Sequence, residues 1–185
     1  MTSIRKANTI SAGHDIVVLC YKLKQGFGLS AEEFAYLKDQ HEKNEKKMVV
    51  FNRLKYLLVF VIADTKAEKN LRHEILRKNA NDVCALLNGA KSANVLVVDE
   101  TNEKENALSF AEGLALSNYQ FFRHKPSATK EKNTLQNISV HNNKISDKDI
   151  ADLNAVVQAT IFARDLVNEP VSHLNAEGLA KEFQK

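Results

Sequence analysis

The sequence is poor in the residues that build the commonest chemical sites. Its 185 residues include six glycines and two cysteines, and no CxxC pair suggests a metal or redox site. With so few glycines, a glycine-rich cradle for phosphate is hard to assemble anywhere in the chain. Cys20 and Cys84 stand far apart in apolar surroundings, which predicts two buried free thiols in a reducing compartment rather than a disulfide.

Long apolar runs and a strong excess of one charge are also lacking. The longest apolar run, Tyr56–Ala63, is too short to cross a bilayer as a helix. No apolar segment follows the N-terminal residues as it would in a secretory signal. The net charge is +3, with 44% hydrophobic and 26% charged residues, which is the composition of an ordinary globular protein of one or two domains. We therefore predict a soluble, cytoplasmic protein.

The hydrophobic pattern alternates between strands and helices. Short β-branched or continuously apolar runs predict strands at 15–23, 48–52, 55–64, 94–100 and 134–143. Helices are predicted between them, at about 30–46, 65–88, 102–122 and 146–167. Helix starts are marked by three capping boxes, in which a hydroxyl residue precedes an acidic residue by three positions. The pairs are Ser30 with Glu33, Thr65 with Glu68, and Ser146 with Asp149.

This alternation predicts an α/β fold with three layers, in which helices cover both faces of a sheet of five or six strands. The connection at Phe51–Lys55 is too short for a helical crossover, so the sheet is predicted to be mixed, with one antiparallel neighbour. Gly89 is expected to end the second helix. Two apolar stripes predict that the third helix is deeply buried: Leu108, Ala111, Ala115 and Phe122, and Phe110, Leu114 and Phe121.

Four segments invite a chemical interpretation, and each is more simply explained by structure. His73 and Glu74 begin an HExxH pattern, but Arg77 takes the place of the second histidine. The loop at 25–30, QGFGLS, falls short of a phosphate-binding motif and is predicted to be a turn. The segment at 175–178, NAEG, is interpreted as a helix start. The loop at 123–132 is basic but has no interleaved aromatic residues, and the other histidines have no ligand spacing: His14, His41, His124, His141 and His173.

Two motifs carry a resemblance to a known family. ARDLVNEP, from Ala163 to Pro170, resembles the segment that joins the two domains of leucine aminopeptidases, the cytosol aminopeptidase family. EGLALSNYQFFRHK, from Glu112 to Lys125, is similar to a helix motif of the same family. Val171 stands where family members have a second proline, and Asn175 and Ala176 replace Thr-Pro, although Leu174 and the Leu-Ala pair at 179–180 remain in register.

The resemblance implies a domain organisation. Residues 1–145 would form the family's N-terminal domain, which has a macro-domain-like α/β/α fold with a mixed sheet. Residues 146–170 would form a connecting helix at its C-terminal end, and 171–185 would begin a catalytic domain that is absent, as in a truncated form. We expect the connecting helix to expose an apolar stripe, because its natural partner is missing.

The resemblance also implies where the chemistry lies. The family's two divalent metals, zinc or manganese, are held by the catalytic domain, where they activate water and polarise the scissile carbonyl. None of those motifs occurs here, so we assign no catalytic, cofactor-binding or metal-binding residue and expect no peptidase activity from this chain alone. The parent would be a cytoplasmic hexamer that releases N-terminal amino acids from peptides, and this domain would contribute to assembly and to active-site access.

Two other functions stay open at the level of sequence. The macro-domain-like fold suggests a module that binds ADP-ribose, although such modules need glycine-rich loops near the pyrophosphate. The basic loop suggests a nucleic-acid-binding module that would use Arg123, Lys125, Lys130 and Lys132. We rank both below the aminopeptidase-domain interpretation.

Overall fold

The computed structural model describes residues 2–10, 13–124, 132–172 and 174–184, which contain six strands and five helices. The strands are β1 Ser3–Lys6, β2 Asp15–Cys20, β3 Met48–Asn52, β4 Leu57–Ile62, β5 Asn94–Asp99 and β6 Asn137–His141. The helices are α1 Ala31–Glu42, α2 Lys69–Gly89, α3 Lys104–Ser117, α4 Asp147–Asn168 and α5 Ala176–Phe183.

The strands form one mixed sheet in the order β1-β6-β5-β2-β4-β3. All neighbours are parallel except β3 and β4, which form the antiparallel pair that the short connection predicted. At the centre of the sheet, Val18 lies opposite Phe60 of β4 on one side and Val98 of β5 on the other. β1 was not predicted, because it is short and its only buried residue is Ile4.

Helices cover both faces of the sheet, which confirms the three layers. Val17 and Leu19 of β2 face α2, α3 and α4 in the larger core cluster. Val18 and Cys20 face α1 in the smaller cluster, where Leu37 is fully buried. The alternation follows from the period of two along a strand, and it shows why the central strands are apolar at consecutive positions.

Two of the three predicted capping boxes are confirmed. The Ser30 and Ser146 hydroxyls each accept a hydrogen bond from the backbone N–H three residues later, and the Glu33 and Asp149 carboxylates accept one from the backbone N–H of the serine. The box at Thr65 is wrong: α2 begins at Lys69 after Glu68, which makes no side-chain cap. The Asp64 side chain instead accepts a hydrogen bond from the backbone N–H of Lys66 at 2.8 Å. This local turn competes with the helix, which therefore begins later in the chain.

α3 is shorter than predicted, since it ends at Ser117. The reason is Asn118, whose amide donates to the Leu135 carbonyl and to the Thr2 hydroxyl, both at 2.7 Å. These long-range bonds turn the chain away from the helix axis, so Phe121 and Phe122 are not helical. The predicted burial is confirmed for Phe110, Ala111, Leu114 and Ala115. Leu108, Phe121 and Phe122, which were predicted to share it, are only partly buried.

α4 exposes apolar side chains on the side that faces away from the sheet, as expected. Ile150, Val157 and Ile161 are buried against the body, whereas Val156 and Val167 are 54% and 84% exposed. Among the described residues, none of the helices combines the length and apolarity that a bilayer crossing would need.

Candidate functional site

The two motif segments that carry the resemblance meet where the C-terminal part of α4 packs beside the end of α3. The Arg164 guanidinium donates to the Leu116 carbonyl at 2.7 Å. The Tyr119 hydroxyl donates to the Asp165 carboxylate at 2.6 Å and accepts from the Asn168 amide at 3.1 Å. Burial and the bond to Asp165 raise the pKa of Tyr119, so its hydroxyl remains a donor. We call these contacts the α3–α4 junction.

The junction continues to the end of α4 through Glu169, whose side chain is only 6% exposed. Its carboxylate contacts the Arg123 guanidinium at 2.9 Å and the His124 ring at 2.6 Å. Burial by itself would raise the pKa of Glu169, but the His124 hydrogen bond and the Arg123 charge outweigh it and lower the pKa. Glu169 is extended because Pro170 follows it, and α4 therefore stops as predicted.

The first two residues of the EGLALSNYQFFRHK motif hold α3 against α2. Glu112 accepts a hydrogen bond from Arg77 at 2.7 Å. At Gly113, a Cβ atom would lie 2.7 Å from the Arg77 carbonyl oxygen and 2.8 Å from the Cβ of Ala80. Only glycine allows the two helix backbones to come this close. The motif therefore encodes helix packing at one end and the α3–α4 junction at the other.

A cavity of about 610 Å³ lies beside the junction. Tyr119, Gln120 and Asp165 line it together with the apolar side chains of Phe122 and Ile161. The one carboxylate among these five residues already accepts the Tyr119 hydroxyl. The geometry is suited to holding α4 in place on the body, and it presents no free acid–base pair at this point.

Arg77 explains the incomplete HExxH pattern of α2. Its guanidinium pairs with Glu112, so the pattern belongs to the packing of α2 on α3. Burial lowers the pKa of His73, which favours a neutral ring. Within the described ranges, no group of three or more His, Cys, Asp or Glu side chains is arranged to hold a metal ion. The resemblance assigns the two divalent metals to the catalytic domain, and we derive no reaction step through them in this chain.

The remaining histidines are dispersed. His41 and His141 each contact a backbone carbonyl oxygen at 3.0 Å, those of Lys46 and Ala7. His124 belongs to the α3–α4 junction, and His14 lies in the turn before β2. His173 lies outside the described residues.

The other sequence predictions can be placed as well. Cys20 and Cys84 are buried free thiols, and burial raises the pKa of each to about 11. The QGFGLS loop is a turn between β2 and α1, in which Leu29 donates to the Gly26 carbonyl at 3.0 Å. NAEG begins α5, where the Asn175 side chain accepts from the Gly178 backbone at 2.9 Å.

The proposed basic loop is only partly described. Arg123 pairs with Glu169, and Lys132 is exposed beside the large cavity. Lys125 and Lys130, which the nucleic-acid interpretation also used, lie outside the described residues.

Sequence reasoning missed the polar contacts of the junction. ARDLVNEP was interpreted locally, as the end of a helix, whereas four of its residues contact the chain around 116–124. The signal that could have found them was the presence of both family motifs in one chain. Both motifs contain charged residues or a tyrosine, which are rarely buried in a core without a polar partner. Two such motifs in one chain are therefore good candidates for contact with one another.

The fold is an α/β fold similar to that of solved leucine aminopeptidases. A tomato leucine aminopeptidase mutant superposes with a TM-score of 0.73 at 15% identity, covering 100% of this chain and 41% of that one. The bottromycin maturation enzyme BotP in complex with Mn superposes with a TM-score of 0.62 at 17% identity, covering 92% of this chain and 35% of that one. At these identities the likeness concerns the fold alone.

The sequence relatives are probable cytosol aminopeptidases. That of Clostridium perfringens is 36% identical over 86 residues, which cover 43% of this chain and 17% of the relative. That of Sulfurihydrogenibium sp. is 29% identical over 157 residues, which cover 70% of this chain and 30% of the relative. No protein-family model matches the chain. The homologues that it matches are thus named probable cytosol aminopeptidases, which confirms the resemblance, and the chain spans less than a third of the length of these curated relatives.

Proposed function

We propose that the chain is the non-catalytic N-terminal domain of a leucine aminopeptidase-like metallo-exopeptidase. In this proposal residues 1–145 form a macro-like α/β/α domain, 146–170 form the connecting helix, and 171–185 begin the catalytic domain. The α3–α4 junction is the observation that carries the proposal. It ties the segment that resembles the inter-domain connection to the body through four side chains of ARDLVNEP.

The outward face of α4 supports the same role. Val156, Phe162 and Val167 are exposed on a helix whose other side is buried in the core. An apolar face on both sides of a helix is typical of a helix that packs between two bodies. The second body would be the catalytic domain, which would bind the two divalent metals, zinc or manganese, and cleave N-terminal residues from peptides. The parent would be a cytoplasmic hexamer, with this domain contributing to assembly and to access.

A kinetic assay tests the absence of chemistry. The chain is incubated with leucine p-nitroanilide and Mn²⁺, and no metal-dependent release of nitroaniline is expected. Turnover that depends on the metal and survives re-purification would overturn the proposal.

An assembly assay tests the role of α4. The catalytic portion of a homologous aminopeptidase is co-expressed with this chain, and a stable complex is expected. Val156→Asp should abolish the complex, since it places a charge in the proposed interface. Asp152→Asn, on the same exposed side of α4, is the control and should leave the complex intact. A complex that tolerates Val156→Asp would contradict the proposed role of α4.

A further inference from the structure

A second cavity, of about 210 Å³, lies at the carboxyl edge of the sheet, between the chain segments that follow β2 and β5. The chain leaves β2 toward α1 on one face and continues to β3 and β4. It leaves β5 toward α3 on the other face and continues to β6. Since β2 and β5 are adjacent and parallel, their diverging connections open a crevice between them. Ligands of open α/β sheets bind in such a crevice.

The floor of this cavity is apolar and uncharged. Val18, Cys20 and Phe60 form it, and all three are buried. Phe27 lines one side and meets the Phe60 ring edge-on, with 6.0 Å between the ring centroids. Burial raises the pKa of Cys20 to about 11, so its thiol is neutral at physiological pH. The floor therefore suits a small aliphatic or aromatic group.

The mouth of the cavity carries charges of both signs. Lys22 and Lys24 come from the segment after β2, and Glu100 comes from the segment after β5. All three are exposed. None forms a hydrogen bond or an ion pair through its side chain with another described residue. Lys24 and Glu100 line the same cavity as Cys20, and their charges act on the Cys20 pKa in opposite directions. A ligand that carries both charges next to an apolar group would match this lining.

The loop that supplies the lysines has an unusual backbone. Phe27 adopts a left-handed conformation with φ of 55°, although it is not glycine, and Gly28 follows with φ of 72°. Left-handed backbone at a bulky residue persists only where surrounding contacts hold it. Here the contact of Phe27 with Phe60 holds the ring at the edge of the cavity.

We propose that this cavity binds a free amino acid with an apolar side chain. The α-carboxylate would contact Lys22 and Lys24, the α-ammonium would contact Glu100, and the side chain would rest on the floor. Free amino acids are also the class of product that the proposed parent enzyme would release. The proposal stands on the cavity alone and does not depend on that function.

Size and charge argue against a nucleotide in the same place. The cavity is smaller than the roughly 300–1,000 Å³ of pockets that hold drug-sized ligands. A pyrophosphate could pair with Lys22 and Lys24 but would repel Glu100 and leave it without a cationic partner, whereas a zwitterion offers a partner to charges of both signs. ADP-ribose, which the macro-domain-like fold suggests, therefore fits less well than a small zwitterion.

Isothermal titration calorimetry of the whole chain tests the proposal with L-leucine as the probe. N-acetyl-L-leucine lacks the ammonium and L-leucinamide lacks the carboxylate, so each should bind roughly ten-fold more weakly, which corresponds to about 1.4 kcal/mol. Backbone amide shifts in NMR spectra should be confined to the segments after β2 and β5. No L-leucine binding at millimolar concentration, or equal binding of the blocked analogues, would overturn the proposal. Tighter binding of ADP-ribose or inorganic phosphate would overturn it in favour of an anion site.

Three variants locate the charges, and all are at exposed positions where folding should be unaffected. Glu100→Gln should lower the affinity for L-leucine roughly ten-fold, because the ammonium then has no partner. In this variant L-leucine and N-acetyl-L-leucine should bind with equal affinity. The double variant Lys22→Gln, Lys24→Gln should lower the affinity for L-leucine and leave the affinity for L-leucinamide unchanged. Lys78→Gln, on the outer side of α2, is the matched control and should change neither affinity. Unchanged L-leucine affinity in Glu100→Gln would contradict the proposed orientation.

Discussion

α2 and α4 are nearly equal in length, 21 and 22 residues, and lie on the same side of the sheet, yet their outward faces differ. α2 presents mostly polar and charged side chains outward, among them Glu74, Lys78 and Asp82. α4 presents alanines, Val156 and Phe162. α2 has one apolar face, and this domain covers it. α4 has a second apolar face, which no other described element covers. The difference separates the folding role of α2 from the docking role proposed for α4.

The largest expected effect is on the inner face of α2. Leu76 is fully buried between the sheet and α3, and Leu76→Ala should lower the free energy of unfolding by about 2–5 kcal/mol. Ile161→Ala, on the inner face of α4, should cost less because α4 is covered on one side only. Urea denaturation of both variants measures the difference. A larger loss for Ile161→Ala would mean that α4 is as central to folding as α2.

Gly113 provides the next test, because it sets the distance between α2 and α3. Gly113→Ala should cost about 1–3 kcal/mol, since the added methyl group would overlap the Arg77 backbone, which cannot move as a flexible side chain can. Gly89→Ala is the matched control: it has open space around it and lies at the end of α2. The control should be neutral or slightly stabilising, by about 0.5 kcal/mol. Similar losses in both variants would disprove the role of close packing.

Tyr119→Phe tests the hold of the body on α4. The change removes one hydrogen bond to Asp165 and one from Asn168, and it should cost about 1–2 kcal/mol. Hydrogen exchange should speed up mainly in α4, because α2 does not contact Tyr119 through these bonds. Tyr36→Phe is the control, since the Tyr36 hydroxyl bonds no other described residue and the ring is half exposed. Faster exchange spread evenly over α2 and α4 would contradict a local role.

The elements that depend on local pattern were predictable. The capping boxes at Ser30 and Ser146 each need only four consecutive residues, and the apolar runs of β2, β4 and β5 need only one strand. The antiparallel β3–β4 pair followed from the length of a connection. The box at Thr65 failed because Asp64, one residue earlier, offered the backbone a competing turn.

The contacts that join distant segments were not predictable in the same way. Tyr119 and Asp165 are 46 positions apart, and periodicity describes neighbours within one element only. β1 escaped prediction for a related reason, since it becomes a strand by pairing with β6, more than 130 positions away. The cavity between β2 and β5 likewise requires the order of the strands, which the sequence pattern left open.

Acid should weaken the α3–α4 junction through Glu169. The pKa of this carboxyl is lowered in the folded state, so its stabilising effect is present above the ordinary carboxyl pKa and is lost as the pH falls through the lowered value. Stability measured by urea denaturation from pH 7 to pH 3 should therefore decline less steeply in Glu169→Gln than in the unchanged chain. An identical decline of stability with pH in both chains would show that the contacts of Glu169 with Arg123 and His124 contribute nothing to stability.

Substitutions on the outward face of α4 should have the smallest effect on stability. They test most directly how this face differs from the outward face of α2. Val167 is 84% exposed and Val156 is 54% exposed, so replacing both by Gln should change the free energy of unfolding by less than about 0.5 kcal/mol. The same pair of changes in a full-length aminopeptidase with this helix should weaken docking of its two domains, which limited proteolysis at the connection would reveal. The control pair on α2, Lys78→Gln with Asp82→Asn, should change neither the free energy of unfolding nor the docking of the two domains. If the α4 variant destabilised this chain alone, the outward apolar face would belong to the fold of the domain rather than to a partner.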